Sequence, residues 1–417
     1  MNRKLNNKRS FIFIKYGMEI GGIETFLFKF IKWLNKKNVR VIFIMLAGTK
    51  IADKFKKEFL NKNIEIYEVD IYSKDWNKKL KISGEKNETF LAYAFNLYQF
   101  ALLQKIILEN NLVADIFFWV PHFAEYLFLE KEFFFPFKFI MKKYFGKILQ
   151  KMEFNNNIIY VNHLHGEALR KNYNIKIENL EEKLVEVIPN KIYPFDYTKI
   201  REKSKRKKFN IITVTRFVFP HKIYLLGLIE SYGILKQKYP NLTLTIIGYG
   251  RDEEYVKKEI SKLNEKAQED INLIGKVEYE ELREYFEKAH LNIGVAGTIC
   301  DGASLGVISI PVRHYNRKCE GYGYLPKSKN YIISDKEGIP IEYYIEELIK
   351  MDENKFIKLC EESYNTFTNI NIGEYWKKTL DQTNKKTGRH VIPYLFMQFV
   401  YWRYLLAYKL KILMGKK

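Results

Sequence analysis

Residues 41–47 read VIFIMLA, an apolar run with no position left to face water. A β-strand turns alternate side chains to opposite faces, so a strand apolar on both faces must be covered on both. A parallel sheet meets that demand, because each crossover between parallel neighbours is long enough to hold a helix. The sequence before the run supplies a first such unit. Residues 10–16 form an apolar strand and Gly17-Met18-Glu19-Ile20-Gly21-Gly22 a turn. Residues 23–36 then set Phe26, Phe30, Trp33 and Leu34 at helical spacing. Strand-like runs recur at 64–69, 116–120, 158–161 and 184–188, with helical patterns between them.

The alternation pauses after Pro189-Asn190. Residues 191–208 carry Pro194 and the basic run REKSKRKK with little periodicity, which marks a domain boundary. It then restarts, with strands at 209–214, 242–247, 271–273 and 290–295. Helices are expected at 224–239, 253–263, 279–288 and 301–306. The expected fold class is α/β: two Rossmann-like doubly wound domains facing across a cleft, with C-terminal helices. The expected domains are 1–195, 196–370 and a helical segment, 371–417. A chain of 417 residues can give each of two domains its own core. No repeat of 20–50 residues is present. The cleft between two such halves is the default place for a ligand.

Seventy Lys and Arg against 49 Asp and Glu give a net charge of +21, which calls for an anionic partner. Nucleic acid is not that partner: zinc-finger spacing, an RNP-type aromatic motif and basic-zipper heptads are all missing from the sequence. A phosphorylated substrate and an acidic membrane surface remain. Cys300, Cys319 and Cys360 are too few and too scattered for a disulfide framework or a zinc site, as expected of a cytoplasmic protein. The N-terminus leads into a short strand-like run rather than a signal peptide. No stretch offers the roughly 20 uncharged apolar residues of a spanning helix.

One stretch poses a chemical question. TRFVFPHK (215–222) follows the strand 209–214 and places Arg216 and Lys222 either side of an apolar, Pro-containing turn. The pair is either a strand end whose charges reach water or a clamp for an anion at the carboxyl end of a sheet, where open α/β folds bind ligands. Gly21 and Gly22 likewise allow two readings. They make a tight turn, or they let the backbone approach a phosphate or sugar at a helix N-terminus.

Four segments in order, TRFVFPHK (215–222), LTLTIIGYGRDEE (242–254), INLIGKV (271–277) and GVAGTICDGASLGVISIPV (294–312), resemble the nucleotide-sugar-binding domain of GT-B glycosyltransferases of the retaining family-4 group. GGIE (21–24) matches that family's glycine loop. The resemblance implies that Arg216 and Lys222 bind the donor's diphosphate, and that no metal or other cofactor is needed. The sequence has no Asp-x-Asp pair placed to hold one. It implies donor contacts at Gly21, Gly22, Gly248, Gly250, Gly275, Lys276, Gly297, Thr298 and Asp301, the last gripping ribose hydroxyls. A helix N-cap is the other reading of Asp301. His122 is the implied assisting histidine, with His163 and His165 as rivals. Two positions depart from the family pattern: Ile223 stands where a glycine usually follows the lysine, and Ile293 where the first acidic residue belongs.

The expected function is transfer of a sugar from a nucleotide-sugar to a lipid-linked or cell-surface glycan acceptor, metal-independent and with retention. The expected place is the inner face of a membrane. A non-catalytic binding subunit of the same fold is the alternative, and transfer by the purified protein separates the two. Two basic aromatic stretches motivate the membrane: KEFFFPFKFIMKKYFGK (131–147) and the tail YLFMQFVYWRYLLAYKLKILMGKK (394–417). The tail either packs on the first domain or lies in the lipid interface.

Overall fold

The computed structural model describes residues 8–18, 22–60, 63–70, 80–119, 137–185, 189, 193–205, 207–368, 402 and 406. Those up to 185 form one compact unit and those from 189 to 368 a second.

In the first unit, β1 (Lys8–Lys15), α1 (Gly22–Lys36), β2 (Val41–Leu46), α2 (Asp53–Phe59) and β3 (Ile64–Val69) come first. They are followed by β4 (Glu88–Ala94), α3 (Leu97–Glu109), β5 (Ala114–Trp119), α4 (Phe137–Phe154), β6 (Ile158–Ile159), α5 (His163–Tyr173) and α6 (Leu180–Lys183). The strands are parallel and ordered β3-β2-β1-β4-β5-β6, so β1 and β4 flank the point where the strand order reverses. The two faces of the sheet differ in chemistry. Ile12, Ile14, Ile42 and Ile44 pack in an aliphatic layer with Phe100, Leu103 and Leu149 of the helices. On the opposite face Phe13, Tyr93 and Phe117 stack across neighbouring strands at 5.2 and 5.4 Å, and Phe30 of α1 meets Phe11 and Phe13 edge-on. β2 is buried on both faces, as its composition requires.

Two expectations here need correction. The central strand β4 was not among the expected strands. At 184–188, α6 ends at Lys183 and Leu184 makes only an isolated bridge to Tyr160, while 186–188 lie outside the described residues.

The second unit begins with α7 (Tyr197–Ser204), β7 (Phe209–Val214), α8 (Tyr224–Lys238), β8 (Leu242–Ile247), α9 (Glu253–Ile260), α10 (Glu265–Glu269) and β9 (Ile271–Ile274). After these come α11 (Leu282–Lys288), β10 (Leu291–Gly294), α12 (Gly297–Ala303) and β11 (Ile308–Pro311). A short pair, β12 (Glu320–Gly321) and β13 (Ile339–Pro340), and the helices α13 (Ile341–Lys350) and α14 (Glu353–Thr368) complete it. Its parallel sheet runs β11-β10-β7-β8-β9, so strand order reverses between β7 and β10. Buried lysine closes the bottom of this sheet. The Lys236 ammonium donates to the carbonyls of Pro240 and Leu242 and to Asp270.

Asparagine does conformational work throughout. Of the eight described non-glycine residues with positive φ, six are Asn, at helix ends and turns where a left-handed residue is needed. The other two are Ala296 and Tyr315, and both lie in loops after strands of the second sheet. Among the described residues no helix is long and apolar enough to cross a membrane.

Candidate functional site

In an open α/β sheet the ligand crevice lies beyond the carboxyl ends of the strands, where their order reverses. In the second unit those ends belong to β7 and β10. The β7 loop is TRFVFPHK. Its backbone is held from below: Phe217 N–H donates to Tyr249 O at 2.9 Å, Phe219 N–H to Asp252 Oδ2 at 2.6 Å, and Arg251 Nη2 to Phe219 O at 3.1 Å. Gly248 and Gly250 make that contact possible. A Cβ on Gly248 would sit 1.9 Å from the Thr215 carbonyl oxygen, and one on Gly250 2.3 Å from that of Phe217. The two loops run too close for side chains, so packing alone demands these two glycines.

The other glycines singled out by sequence differ. A Cβ on Gly22, Gly275 or Gly297 would meet nothing within 4 Å, so each borders open space rather than a neighbour. Gly22 opens α1 at the β1 side of the first sheet's reversal point. Lys15, at the end of β1, pairs with Glu24 in the first turn of α1 at 2.9 Å. Gly21 and His122 lie outside the described residues.

Arg216 is exposed and Lys222 partly so. Neither has an ion-pair partner among the described residues, although ion pairs are plentiful elsewhere in the unit. Burial pushes the Lys222 ammonium down to about 7, and the nearby Arg216 charge adds to the effect. Ile223, where the family pattern has glycine, sits at φ −66 and ψ −16 just before α8. That is ordinary right-handed backbone, so the position needs no glycine.

The β10 loop supplies the other wall. α12 starts at Gly297 rather than at Asp301, and the residue at its cap is Ala296, held at φ 55 and ψ −134. Asp301 is therefore not the N-cap. Alanine has no side-chain oxygen to accept the first-turn N–H groups, and those of Gly297 and Thr298 have no acceptor among the described residues. The turn is pinned from inside by Asn292, fully buried, whose Nδ2 donates to Thr298 O at 2.9 Å. Asp301 is 7% exposed and accepts a hydrogen bond from Tyr279 at 3.1 Å. Lys276 is exposed and pairs with Glu278 at 3.3 Å. Ile293 is fully buried in β10, a place where a carboxylate would be costly.

Sequence reasoning passed over two histidines that the fold brings to this end of the sheet. His221 Nε2 and His314 Nδ1 lie 3.1 Å apart, and Tyr315 stacks on His221 with ring centroids 4.9 Å apart. Tyr315 N–H also donates to His221 O. The β11 loop thereby grips the residue next to Lys222. The available signal was position: His221 and Arg313-His314-Tyr315 each follow a strand that ends at the crevice. The rival histidines are structural in character. His163 opens α5 and pairs with Glu181 at 3.2 Å, and His165 is fully buried.

Among the described residues no group of three His, Cys, Asp or Glu side chains is placed to hold a metal. What the arrangement offers is positive charge: a guanidinium, an ammonium and uncapped N–H groups at one end of one sheet.

Residues 196–294 match the family model described as glycosyl transferases group 1. No curated protein matches the sequence. Among solved structures, Anabaena HepE in complex with UDP and glucose is similar over 90% of this chain and 99% of its own, with a TM-score of 0.57 and 12% identity. The lipopolysaccharide outer core galactosyltransferase WaaB covers 90% of this chain and 99% of its own, with a TM-score of 0.55 and 14% identity. A glycosyltransferase from Rickettsia africae is similar over 91% of this chain and 99% of its own, with a TM-score of 0.55 and 15% identity. These likenesses identify the fold as GT-B, two parallel-sheet Rossmann-like domains. The second unit carries the match to the glycosyl transferases group 1 model, and with the GT-B fold around it the chain is a glycosyltransferase.

Proposed function

We propose that the chain moves a sugar from a nucleotide-sugar donor to a lipid-linked or cell-surface glycan acceptor, with Arg216 and Lys222 holding the donor's diphosphate. One observation carries this reading. Two cations without a carboxylate partner among the described residues stand at the strand-order reversal of the second sheet, beside uncapped N–H groups. During transfer the bond from sugar C1 to the diphosphate oxygen breaks, a hydroxyl oxygen of the acceptor bonds to C1, and the hydroxyl's proton is given up to the departing diphosphate or to water. Negative charge collects on the departing diphosphate. Fixed cations and N–H donors already aimed there lower the barrier without having to reorganise. They also supply the charge a metal would bring, so transfer is metal-independent in this reading. Retention of configuration is what the likeness to the family-4 group implies.

Gly275 and Gly297 leave room for the nucleotide to approach the backbone, and Gly248 and Gly250 hold the diphosphate loop in place. Lys276 is free to swing from Glu278 to the nucleotide at little cost, since exposed pairs of this kind are weak. The Asp301 carboxylate accepts from Tyr279 through Oδ1, and a carboxylate has capacity for further donors such as ribose hydroxyls.

The acceptor reading rests on α4. Its outward face carries Phe139, Ile140, Tyr144 and Phe154 together with Lys143, Lys147 and Lys151, all exposed. Apolar groups interleaved with lysines suit the interface of an acidic membrane, where a lipid-linked acceptor would be met on the cytoplasmic side.

The test is transfer by purified protein, with the donor chosen by thermal shift. Arg216→Ala and Lys222→Ala are each expected to cut turnover by roughly 10²-fold or more, the scale of losing one transition-state donor. Unchanged turnover in both would reduce TRFVFPHK to a strand end.

A further inference from the structure

The second unit has a cavity that the transfer reaction does not use. It is about 720 Å³ in volume and lies between α7 with Lys205, Lys207 and Lys208 after it, and α11 with its exit at His290. Those segments lead into the amino ends of β7 and β10. The Arg216 and Gly297 loops leave the carboxyl ends of the same two strands. The six residues of β7 and the four of β10 separate the two ends by roughly 20 and 13 Å, so the cavity is a place apart.

Its lining is basic. Six lysines face three glutamates, Glu202, Glu284 and Glu287. One glutamate is already engaged, because Glu287 accepts from Lys199 at 2.8 Å and from Arg283 at 2.7 Å. Lys203 donates to Ala289 O at 2.9 Å, and burial lowers its ammonium below the usual lysine range. The remaining four, Lys205, Lys207, Lys208 and Lys288, have exposed side chains and no partner among the described residues. Lysines in the last turn of a helix complement its dipole, which accounts for Lys203 and Lys288. It also covers Lys205, the C-cap of α7, but not Lys207 and Lys208, which lie beyond the helix and still line the same cavity. Like charges gathered around a concave space repel one another unless an anion is present.

We propose that this cavity is a second anion site, which takes a soluble oligophosphate: two or more linked phosphate groups, free or carried on a nucleoside. The excess of lysine over glutamate calls for a ligand of several negative charges. The cavity is a broad concavity open to solvent, roomy enough for a chain of linked phosphates. His290, stacked on Phe209 at 5.0 Å with Nδ1 accepting from the Asn210 N–H at 3.0 Å, fixes the floor of the cavity.

The probe is inorganic tripolyphosphate, titrated calorimetrically into the full chain at low salt. The background is Arg216→Ala with Lys222→Ala, so that the diphosphate loop contributes nothing. Saturable binding of about one tripolyphosphate is expected there. Adding Lys205→Gln, Lys207→Gln, Lys208→Gln and Lys288→Gln should weaken it about tenfold or more, since each exposed charge contributes a modest share. Glutamine removes the charge but stays polar and is only one atom shorter, and the four side chains are exposed, so the melting temperature should stay put. If that variant does not fold, Lys207→Gln with Lys208→Gln alone should still weaken binding about threefold. Unaltered affinity in the folded variants, or no saturable binding in the background protein, overturns the proposal. A third arm uses vesicles of phosphatidylglycerol or phosphatidylcholine. Loss of acidic-vesicle binding in the glutamine variant, with tripolyphosphate ignored throughout, would assign the lysines to a membrane surface instead and equally overturn it.

Discussion

Lys222 shows how one residue can carry both charge and pH dependence. Its ammonium is held down to about 7 by burial, with Arg216 adding to the effect. In the free protein the unfolded state therefore binds more protons than the folded one between pH 7 and the ordinary lysine range. This group's contribution to stability accordingly rises with pH across that window. A bound diphosphate reverses the balance, because an adjacent anion favours the charged form. Nucleotide binding should thus take up a proton near neutral pH and weaken by up to about tenfold per pH unit above 7. Calorimetry with UDP in two buffers of different ionisation heat reads that uptake directly. Lys222→Arg, always protonated, should bind without it; the same uptake in that variant would place the titrating group elsewhere. Ala296 and Tyr315 carry the cost of the same site in another form. A left-handed conformation is unfavourable for either residue, by about 1–3 kcal/mol, and the surrounding loops hold both there.

At the scale of elements, the first sheet is tied together at its amino-terminal edge by one arginine. Arg40, just before β2, donates to Glu65 on β3 at 2.5 Å and to Glu88 on β4 at 3.0 Å, while Ser10 on β1 donates to Glu88 as well. The Glu88 side chain has no exposure. Removing Arg40 leaves that carboxylate buried and unpaired, so Arg40→Ala should destabilise the first unit by about 3 kcal/mol or more, read by urea unfolding. Hydrogen bonding to Arg40 holds the Glu65 carboxyl below its ordinary range. Burial would raise that of Glu88, but the bonds from Ser10, the Glu85 backbone and Arg40 outweigh it. Both groups bind fewer protons folded than unfolded, so their stabilisation is complete above the ordinary glutamate range and is lost as pH falls below it. In Arg40→Ala that acid sensitivity should shrink. The same cluster explains what the sequence hid. β2 was legible because its apolar run admits no other placement, and β7 and β8 because they are short β-branched runs between turn residues and helical patterns. β4 opens on Glu88 and Thr89 and carries Ala92 and Ala94, a pattern whose acid makes sense only beside an arginine distant in sequence. The start of α12 was misread for a local reason, since a strained alanine is not a residue expected at a cap. Motif order was enough to expect Arg216, Lys222, Gly297 and Thr298 in loops after strands of the second sheet, and the fold places those loops after β7 and β10. The His221–His314 contact was not, because it depends on which strand lies next to which. The basic run at 201–208 looked like a domain boundary, and the place of Lys203, Lys205, Lys207 and Lys208 on a cavity wall needed α11 opposite.

The whole molecule carries a charge of +21, and what distinguishes a membrane partner from a soluble one is where that charge meets exposed apolar surface. α4 is the described element where both coincide. Phe139 is 69% exposed, Ile140 62% and Phe154 78%, while Phe145, Leu149 and Met152 of the same helix are buried in the first unit's core. The helix is thus apolar on two faces, one of them studded with Lys143, Lys147 and Lys151. Lys142 belongs to the inner side, with its ammonium over the Tyr173 ring, and is better left alone. Of the tail, only Trp402 and Leu406 are described, both helical and exposed; residues 131–136 lie outside the described part. Each lysine near an acidic surface contributes roughly 1 kcal/mol, and the attraction fades beyond about 8 Å at physiological salt. Inserted Phe139 and Ile140 would be insensitive to salt, since apolar transfer is not screened. Sedimentation with acidic vesicles should therefore be strong at low salt and partly retained at high salt, with little binding to neutral vesicles. Reversing Lys143, Lys147 and Lys151 to Glu should abolish the salt-sensitive part, and Phe139→Ser with Ile140→Ser the part that survives salt. Both variants change exposed positions only, so their melting temperatures should match the parent's. Should the triple reversal sediment as the parent does, α4 is not the contact, and the excess charge serves soluble anions at the two sites of the second unit.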